Sequence, residues 1–421
     1  MNRYKCVHYK KQKLKLVQIF NLIPKDIFLS LAEETNVDYY AKALHGKLFF
    51  YLLLYALLTN EKISQRGVAD IYSSPAFKCL FHLHRKKKTT LSHSSISDRL
   101  ATIEVEYFKR LYECIYERFS SLYPSKTLCG MKLQRVDSSL VADISGRIRE
   151  GLTCGNEHKK GKMVKFTINF DGMYASIGKV HKEEKYASEA LALPENVIEH
   201  FEQHKGEYQV YLIDRGQSSA EAFVKMKSHN GLLFVGRLVK NRKLGIIRKF
   251  DYPFRKFEQG TLILDALVQL YKTENVEGKN GKTQRKPTLV NEKFRVIKFR
   301  PKDDKEDILL ITNILNHRAE TIATMYRRRW DIEVFFRFLK QNVNFSHLMS
   351  LNDNGIQVIL YMTLIAAMLI MIYKKENELG YKAAKRRIKM ELEEMTIAIA
   401  VKLSDGDLLK LNLPPPWDIE L

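Results

Sequence analysis

Hydrophobic periodicity switches once in this chain, near residue 130, and that switch limits the architectures open to it. Up to about residue 125, apolar side chains recur at helical spacing through Ile27-Phe28-Leu29, Leu48 to Leu58 and Phe108-Leu111-Ile115-Phe119, without alternating strands. Beyond the switch, Lys132 to Val141, Val164 to Asp171 and Tyr174 to Val180 read as strands. A helix near 186 to 204, a strand from Tyr208 to Ile213, a helix from Ser218 to Ser228 and a strand from Leu232 to Val239 follow. Three strands, helix, strand, helix, strand is an α/β order around one sheet.

Residues 240 to about 306 interrupt that order. They are rich in Lys and Arg and mix short β-like pieces, Gly245 to Phe250 and Lys293 to Phe299, with a Gly/Asn/Lys loop at Glu277 to Lys286. The segment reads as a β-rich insertion. Ile308 to Thr312 resumes a buried strand, and two long helices are expected over 317 to 342 and 355 to 376. One more amphipathic helix, 382 to 402, precedes Pro414-Pro415-Pro416-Trp417. The expected division is therefore 1–125, 126–240, 241–306, 307–376 and 377–421, the second and fourth segments sharing one sheet. In the first segment, short helices at Ile63 to Ile71 and Ser92 to Leu100 flank the basic run Arg85-Lys86-Lys87-Lys88. That pattern suits a helical DNA-binding module, and equally a helical bundle with a solvated charged loop.

Charge narrows the partners. The chain carries 70 Lys and Arg against 48 Asp and Glu, a formal net charge of +22. Such an excess calls for a polyanion, either nucleic acid or an anionic membrane surface. The run Ile356 to Tyr373 is barely long enough to span a bilayer. It contains Gln357 and Thr363 and follows a highly charged helix, so it is expected to be a buried core helix. The five cysteines include no C-x-x-C pair, which points to reduced thiols in a cytoplasm rather than a disulfide framework.

The chemistry concentrates in Tyr326 to Lys340. Measured as one continuous helix, Tyr326, Arg329, Glu333, Arg337 and Lys340 fall within a stripe about 80° wide. A lone carboxylate among cations suits a metal-and-phosphate site, with Glu on a hard cation and Arg and Lys on phosphate oxygens. A surface helix with Arg329–Glu333 and Glu333–Arg337 ion pairs reads the same way. Two aspartates add weight to the first reading. Asp137 lies inside the first β segment, where a charge is costly unless it serves a purpose. Asp214 closes the fourth strand, with Gly216 available for the turn, and carboxylates at such strand ends commonly face a functional crevice.

The residues resemble DDE transposases of the insertion-sequence-four family. That family's signature is Tyr, two residues, Arg, three residues, Glu, six residues, Lys, and Tyr326, Arg329, Glu333 and Lys340 stand at that spacing. Asp-Arg-Gly at 214 to 216 and Asp137 complete the resemblance, which runs from about 35 to 375. It implies a ribonuclease-H-like catalytic domain interrupted by a β-rich insertion, with a helical N-terminal DNA-binding region. It also implies that Asp137, Asp214 and Glu333 bind two Mg²⁺ ions, which Mn²⁺ replaces. Tyr326, Arg329, Lys340 and, by helix geometry, Arg337 would hold the DNA phosphates. The substrates implied are double-stranded terminal inverted repeats and target DNA, engaged by a homodimer in the bacterial cytoplasm on the nucleoid, away from membranes. Members often carry Tyr after Asp-Arg-Gly, where this chain has Gln217. Some relatives clamp a flipped base with an insertion tryptophan; this chain has none there, and Tyr252, Phe254 or Phe257 could substitute. The alternative reading is a non-catalytic, basic nucleic-acid-binding protein descended from such an enzyme.

Overall fold

Serine side chains start several of the N-terminal helices by satisfying their unpaired first-turn N–H groups. Ser64 Oγ accepts from Gly67 at 3.1 Å, Ser74 from Phe77 at 3.2 Å and Ser92 from Ser95 at 3.1 Å. The computed structural model describes residues 13–81, 83, 90–143, 151–156, 159–214, 216, 219–251, 256–277, 283–302, 306–408 and 410. The chain folds as two units, Met1–Pro124 with Phe338–Leu421, and Ser125–Arg337.

The first unit opens with helices α1 (Leu16–Phe20), α2 (Ile27–Thr35), α3 (Gly46–Thr59), α4 (Gln65–Ser73), α5 (Pro75–Leu80), α6 (His93–Thr102) and α7 (Val105–Leu122). The second unit follows with β1 (Thr127–Leu128), β2 (Met131–Asp143), β3 (Leu152–Asn156), β4 (Lys159–Phe170) and β5 (Ala175–His181). Then come α8 (Glu189–Gln203), β6 (Gln209–Ile213), α9 (Ala220–Lys227) and β7 (Leu233–Leu238). Strands β8 (Leu244–Lys249), β9 (Lys256–Phe257), β10 (Gly260–Glu277), β11 (Thr283–Pro301) and β12 (Ile308–Thr312) precede α10 (Ala319–Arg327) and α11 (Trp330–Asn342). The first unit closes with α12 (Asp353–Glu376) and α13 (Tyr381–Leu403).

In the first unit α12 is apolar on every side, and such a helix belongs in an interior. It packs among α3, α7 and α13. Its length and composition would allow a membrane crossing, but 89% of its apolar window is buried inside the fold, as a core helix requires. Asn352 Oδ1 caps its start by accepting from Gly355 N–H at 2.7 Å.

The second unit is built on one twelve-stranded mixed sheet among the described residues, in the order β3-β4-β2-β6-β7-β12-β11-β10-β8. β2, β6 and β7 run parallel, while β4, β5, β10, β11 and β12 pair antiparallel. Two expectations need correction here. Within residues 241 to 306 the strands are longer than the short β-like pieces expected. β10 and β11 are 18 and 19 residues long, and through the β11–β12 and β12–β7 ladders they extend the main sheet. Their many Lys and Arg sit between apolar positions such as Phe294, Val296 and Ile297, which masks the strand pattern. The single helix expected over 317–342 is instead two. Arg329 N–H bonds to Tyr326 O, Asp331 N–H to Arg328 O and Ile332 N–H to Arg329 O, the tighter i→i−3 pattern that breaks α10 from α11.

A buried polar chain ties β5, α8 and β6 together. His200 bonds to Ser176 Oγ at 2.7 Å and to Tyr211 Oη at 2.8 Å. Burial pushes its pKa down to about 2, with His204 and Lys132 adding to the effect. His181 is likewise pushed down to about 4, by burial and then by Lys179 and Lys165. A folded pKa below the unfolded value of 6.5 means that the unfolded chain takes up the proton first. Stability is thus complete above pH 6.5 and is lost as pH falls below it, by up to about 1.4 kcal/mol per pH unit for His200. Urea midpoints measured from pH 7 to 5 are expected to fall for the wild type and to fall less steeply for His200→Gln. Parallel slopes would exclude His200 as a source of acid sensitivity.

Candidate active site

Alternation turns every second strand residue to the same face of a sheet. On β2 this groups Leu133, Arg135 and Asp137; on β6 it groups Val210 and Leu212, with Asp214 next. Leu133, Val210 and Leu212 pack in one core cluster with Ile322, Ala323, Met325 and Tyr326 of α10. The register brings the two acids alongside. Val136 pairs with Ile213 in the last rung of the parallel β2–β6 ladder. Asp137 and Asp214 follow that rung on neighbouring strands, whose spacing is about 4.8 Å.

The α10–α11 turn supplies the other groups. Tyr326 Oη donates to Asp214 Oδ1 at 3.4 Å. Arg329 Nε lies 3.5 Å from the same oxygen, and its Nη2 donates to Glu333 Oε1 at 2.5 Å. The guanidinium carbon also stands 5.9 Å from the Tyr326 ring centre. Arg329 is therefore the common partner of Asp214 and Glu333. Burial works against its charge, but Tyr326, Asp214 and Glu333 outweigh burial, and its pKa stands above the ordinary value. Burial pushes the Tyr326 phenol up, so it remains a protonated donor at neutral pH. Phe335 stacks on Phe170 of β4, with ring centres 4.2 Å apart, and seats α11 near the strand ends.

The structure thus joins Asp214, Tyr326, Arg329 and Glu333 in direct contact and sets Asp137 on the adjoining strand. Asp137 is half-buried, and its Oδ1 accepts from Ser138 N–H at 2.8 Å. The continuous-helix stripe is corrected by the break at Arg328–Arg329, yet Tyr326 and Arg329 still converge because the tight turn keeps them on one side. The Arg329–Glu333 ion pair that the spacing allowed is formed. Arg337 is exposed, and Lys340 is exposed in the last turn of α11. Arg85, Lys86, Lys87 and Lys88 lie outside the described residues, as do Gln217, Tyr252 and Phe254. Phe257 is taken up in packing, with its ring centre 5.6 Å from that of Phe299.

Among the described residues, no group of three or more His, Cys, Asp and Glu is arranged to hold a metal ion. Asp214 and Glu333 instead share the Arg329 cation. The donor chemistry nonetheless fits a hard divalent ion, since carboxylate oxygens are the ligands that Mg²⁺ and Mn²⁺ prefer. Beside Tyr326 and Arg329 opens a cleft of about 370 Å³, also lined by Trp330, Phe299, Glu258 and Gln259. Trp330 is 53% exposed there, an aromatic surface next to a cation.

Two residues escaped the sequence reading. Arg237 follows Gly236, the registered partner of Ile213, and so stands on the strand next to Asp214. The signal was available, because it is a charge set inside an apolar strand, as Asp137 is. Arg135 is buried two residues before Asp137 and pairs with Asp331 at 2.8 Å. That pairing explains why Asp331, close in sequence to Glu333, is turned to another task. Asp171, another nearby acid, is also structural: it is buried and accepts from Met173 and Tyr174 N–H, both at 2.8 Å.

Comparison with known proteins completes the description. The family model described as "Transposase DDE domain" matches residues 141–369, a span that starts just after Asp137 and includes Asp214, Tyr326, Arg329 and Glu333. The probable transposase for insertion sequence element IS5377 of Geobacillus stearothermophilus is 40% identical over 78 residues, 18% of this chain and 20% of that protein. The putative transposase for insertion sequence element IS4SA of Synechocystis sp. is 24% identical over 210 residues, 50% of this chain and 51% of that protein. The chain spans about half the length, or less, of these curated relatives. Among solved structures, a piggyBac transposase synaptic complex with hairpin DNA covers 96% of this chain and 84% of its own at 13% identity. Its TM-score is 0.44.

Proposed function

Because the chain belongs to the family of transposases with the DDE domain, we propose that it excises an insertion sequence at its terminal inverted repeats and inserts it into target DNA. The observation that carries this reading is the meeting of Asp214, Tyr326, Arg329 and Glu333 beside the strand that bears Asp137. The strand order β5-β4-β2-β6-β7, three antiparallel strands followed by parallel ones, supports a ribonuclease-H-like catalytic core.

In this reading Asp137, Asp214 and Glu333 would hold two Mg²⁺ ions, or Mn²⁺ in their place. Bound there, the ions supply Lewis-acid stabilisation to the attacking and leaving oxygens of an in-line displacement. The protein's own residues bind and orient. Arg329, which contacts both Asp214 and Glu333, would in this reading orient a DNA phosphate beside those acids. Its buried Nη1 has no hydrogen-bond partner among the described residues, so a donor is available for a phosphate oxygen. Tyr326, protonated, donates beside it. Arg337 and Lys340 offer exposed cations along α11, and Arg85 to Lys88 belong to the DNA-binding helical region 1–125. The substrate is duplex DNA, held by a dimer on paired ends on the bacterial nucleoid in the cytoplasm, with no membrane involved.

A second reading, a basic nucleic-acid-binding protein without catalysis, is favoured by one observation: Arg329 neutralises two of the three acids. The two readings part on one assay. DNA carrying the element's own ends is incubated with the protein and Mg²⁺ or Mn²⁺. The transposase reading expects cuts at the ends that EDTA abolishes. The second expects binding that weakens steeply with salt and no cut with any divalent ion.

A further inference from the structure

We propose that Arg135 is a positioning residue that fixes the α10–α11 turn, and with it Arg329 and Glu333, against the strand that carries Asp137. The inference rests on the reading of these acids as the metal site.

The guanidinium of Arg135 is 5% exposed and divides its donors among three segments. Nη1 donates to Leu133 O at 2.7 Å on its own strand and to Asp171 O at 2.8 Å in the β4–β5 turn. Nε donates to Arg328 O at 3.1 Å, and Nη2 to Asp331 Oδ2 at 2.8 Å. Those last two acceptors sit on either side of Arg329. Arg328 is the C-cap of α10, and its carbonyl, which already accepts from Asp331 N–H at 3.2 Å in the break between the helices, takes a second bond from the side chain of Arg135. The opposite side of the guanidinium is closed by Gly172. A Cβ there would come within 3.0 Å of Arg135 Nη1, and its φ of +100° is one that glycine adopts freely. The seat is thus closely fitted to a planar, five-donor head. A lysine, with one ammonium, satisfies only part of it.

Asp137 lies two residues along the same strand face, and Glu333 lies two residues beyond Asp331. One buried side chain therefore bridges the strand bearing one acid and the turn bearing another. Displacement of the turn would misplace Arg329 and Glu333 together while leaving the strands intact.

The test uses Trp330, the first residue of α11, as a local reporter. The chain has two tryptophans, so Trp417→Phe leaves Trp330 alone. In that background Arg135→Lys and Asp331→Asn are compared with the parent below their unfolding temperatures. Two signals are read: acrylamide quenching of Trp330 without metal, and quenching by added Mn²⁺. The expected result for Arg135→Lys is altered acrylamide quenching and an Mn²⁺ midpoint raised about tenfold, the usual range for groups that orient metal ligands. Asp331→Asn, which keeps Arg135 in place, is expected to shift both in the same direction by less. A folded Arg135→Lys with parental values in both signals overturns the proposal. Where Arg135→Lys does not fold, Asp331→Asn decides alone, and parental values overturn it. A parent with no Mn²⁺ response counts against the metal reading, while acrylamide quenching still judges the positioning.

Discussion

Glu333→Gln is expected to reduce metal-dependent cleavage of DNA ends by about a thousandfold or more, close to 4 kcal/mol of transition-state stabilisation. Asp214→Asn and Asp137→Asn are expected to match it. The substitutions keep shape and remove only charge, and none of the three residues belongs to the buried core. Asp214 and Glu333 are 41% and 30% exposed at their side chains, and partly exposed ion pairs of this kind contribute roughly 0–1 kcal/mol to stability. Melting temperatures should therefore stay within a few degrees of wild type. Three variants with normal folding and wild-type cleavage would remove these carboxylates from the chemistry. Loss of cleavage together with loss of folding would assign them a structural role.

Asp265→Ala is expected to cost about 3–5 kcal/mol of stability, the usual effect of leaving a buried charge unpaired. Asp265 and Arg295 are both essentially inaccessible. Arg295 Nε and Nη2 grip the two carboxylate oxygens at 2.9 and 2.7 Å. Its Nη1 donates to His317 O at 2.5 Å and to Leu315 O at 3.3 Å, in the segment that leads into α10. Truncating Asp265 strands that guanidinium between β10, β11 and the approach to the site. Chemical denaturation reads the loss directly; a cost below about 1 kcal/mol would mean that the pair is hydrated or dispensable. A double replacement by apolar residues of similar volume should recover much of the loss, because the penalty lies in the orphaned charge.

Much of the site could be read from the sequence, for identifiable reasons. Asp214 announces itself because an apolar strand ends there in a charge and a turn glycine. Tyr326, Arg329 and Glu333 are fixed by spacing on one helical face, and that face survives the break at Arg328–Arg329 because a three-residue turn also returns to the same side. For the same reason the break itself left no mark in the periodicity. The role of Arg135 was hidden because an arginine in a strand reads as a solvent-facing residue; its acceptors come from segments distant in sequence. The continuation of the sheet through β12, β11 and β10 was also hidden, since pairing between distant strands leaves no local pattern. α12 was legible by contrast, as an apolar run that contains Gln357 and Thr363 and follows a highly charged helix.

The central claim is that three acids, far apart in sequence, share divalent metal at one place. The most direct measurement replaces Mg²⁺ with Fe²⁺ and adds ascorbate and peroxide, so that the polypeptide is cut beside any bound ion. The account predicts scission near residues 137, 214 and 333, suppressed by excess Mg²⁺ and absent in Glu333→Gln. Scission confined to other parts of the chain, or none above background, contradicts it.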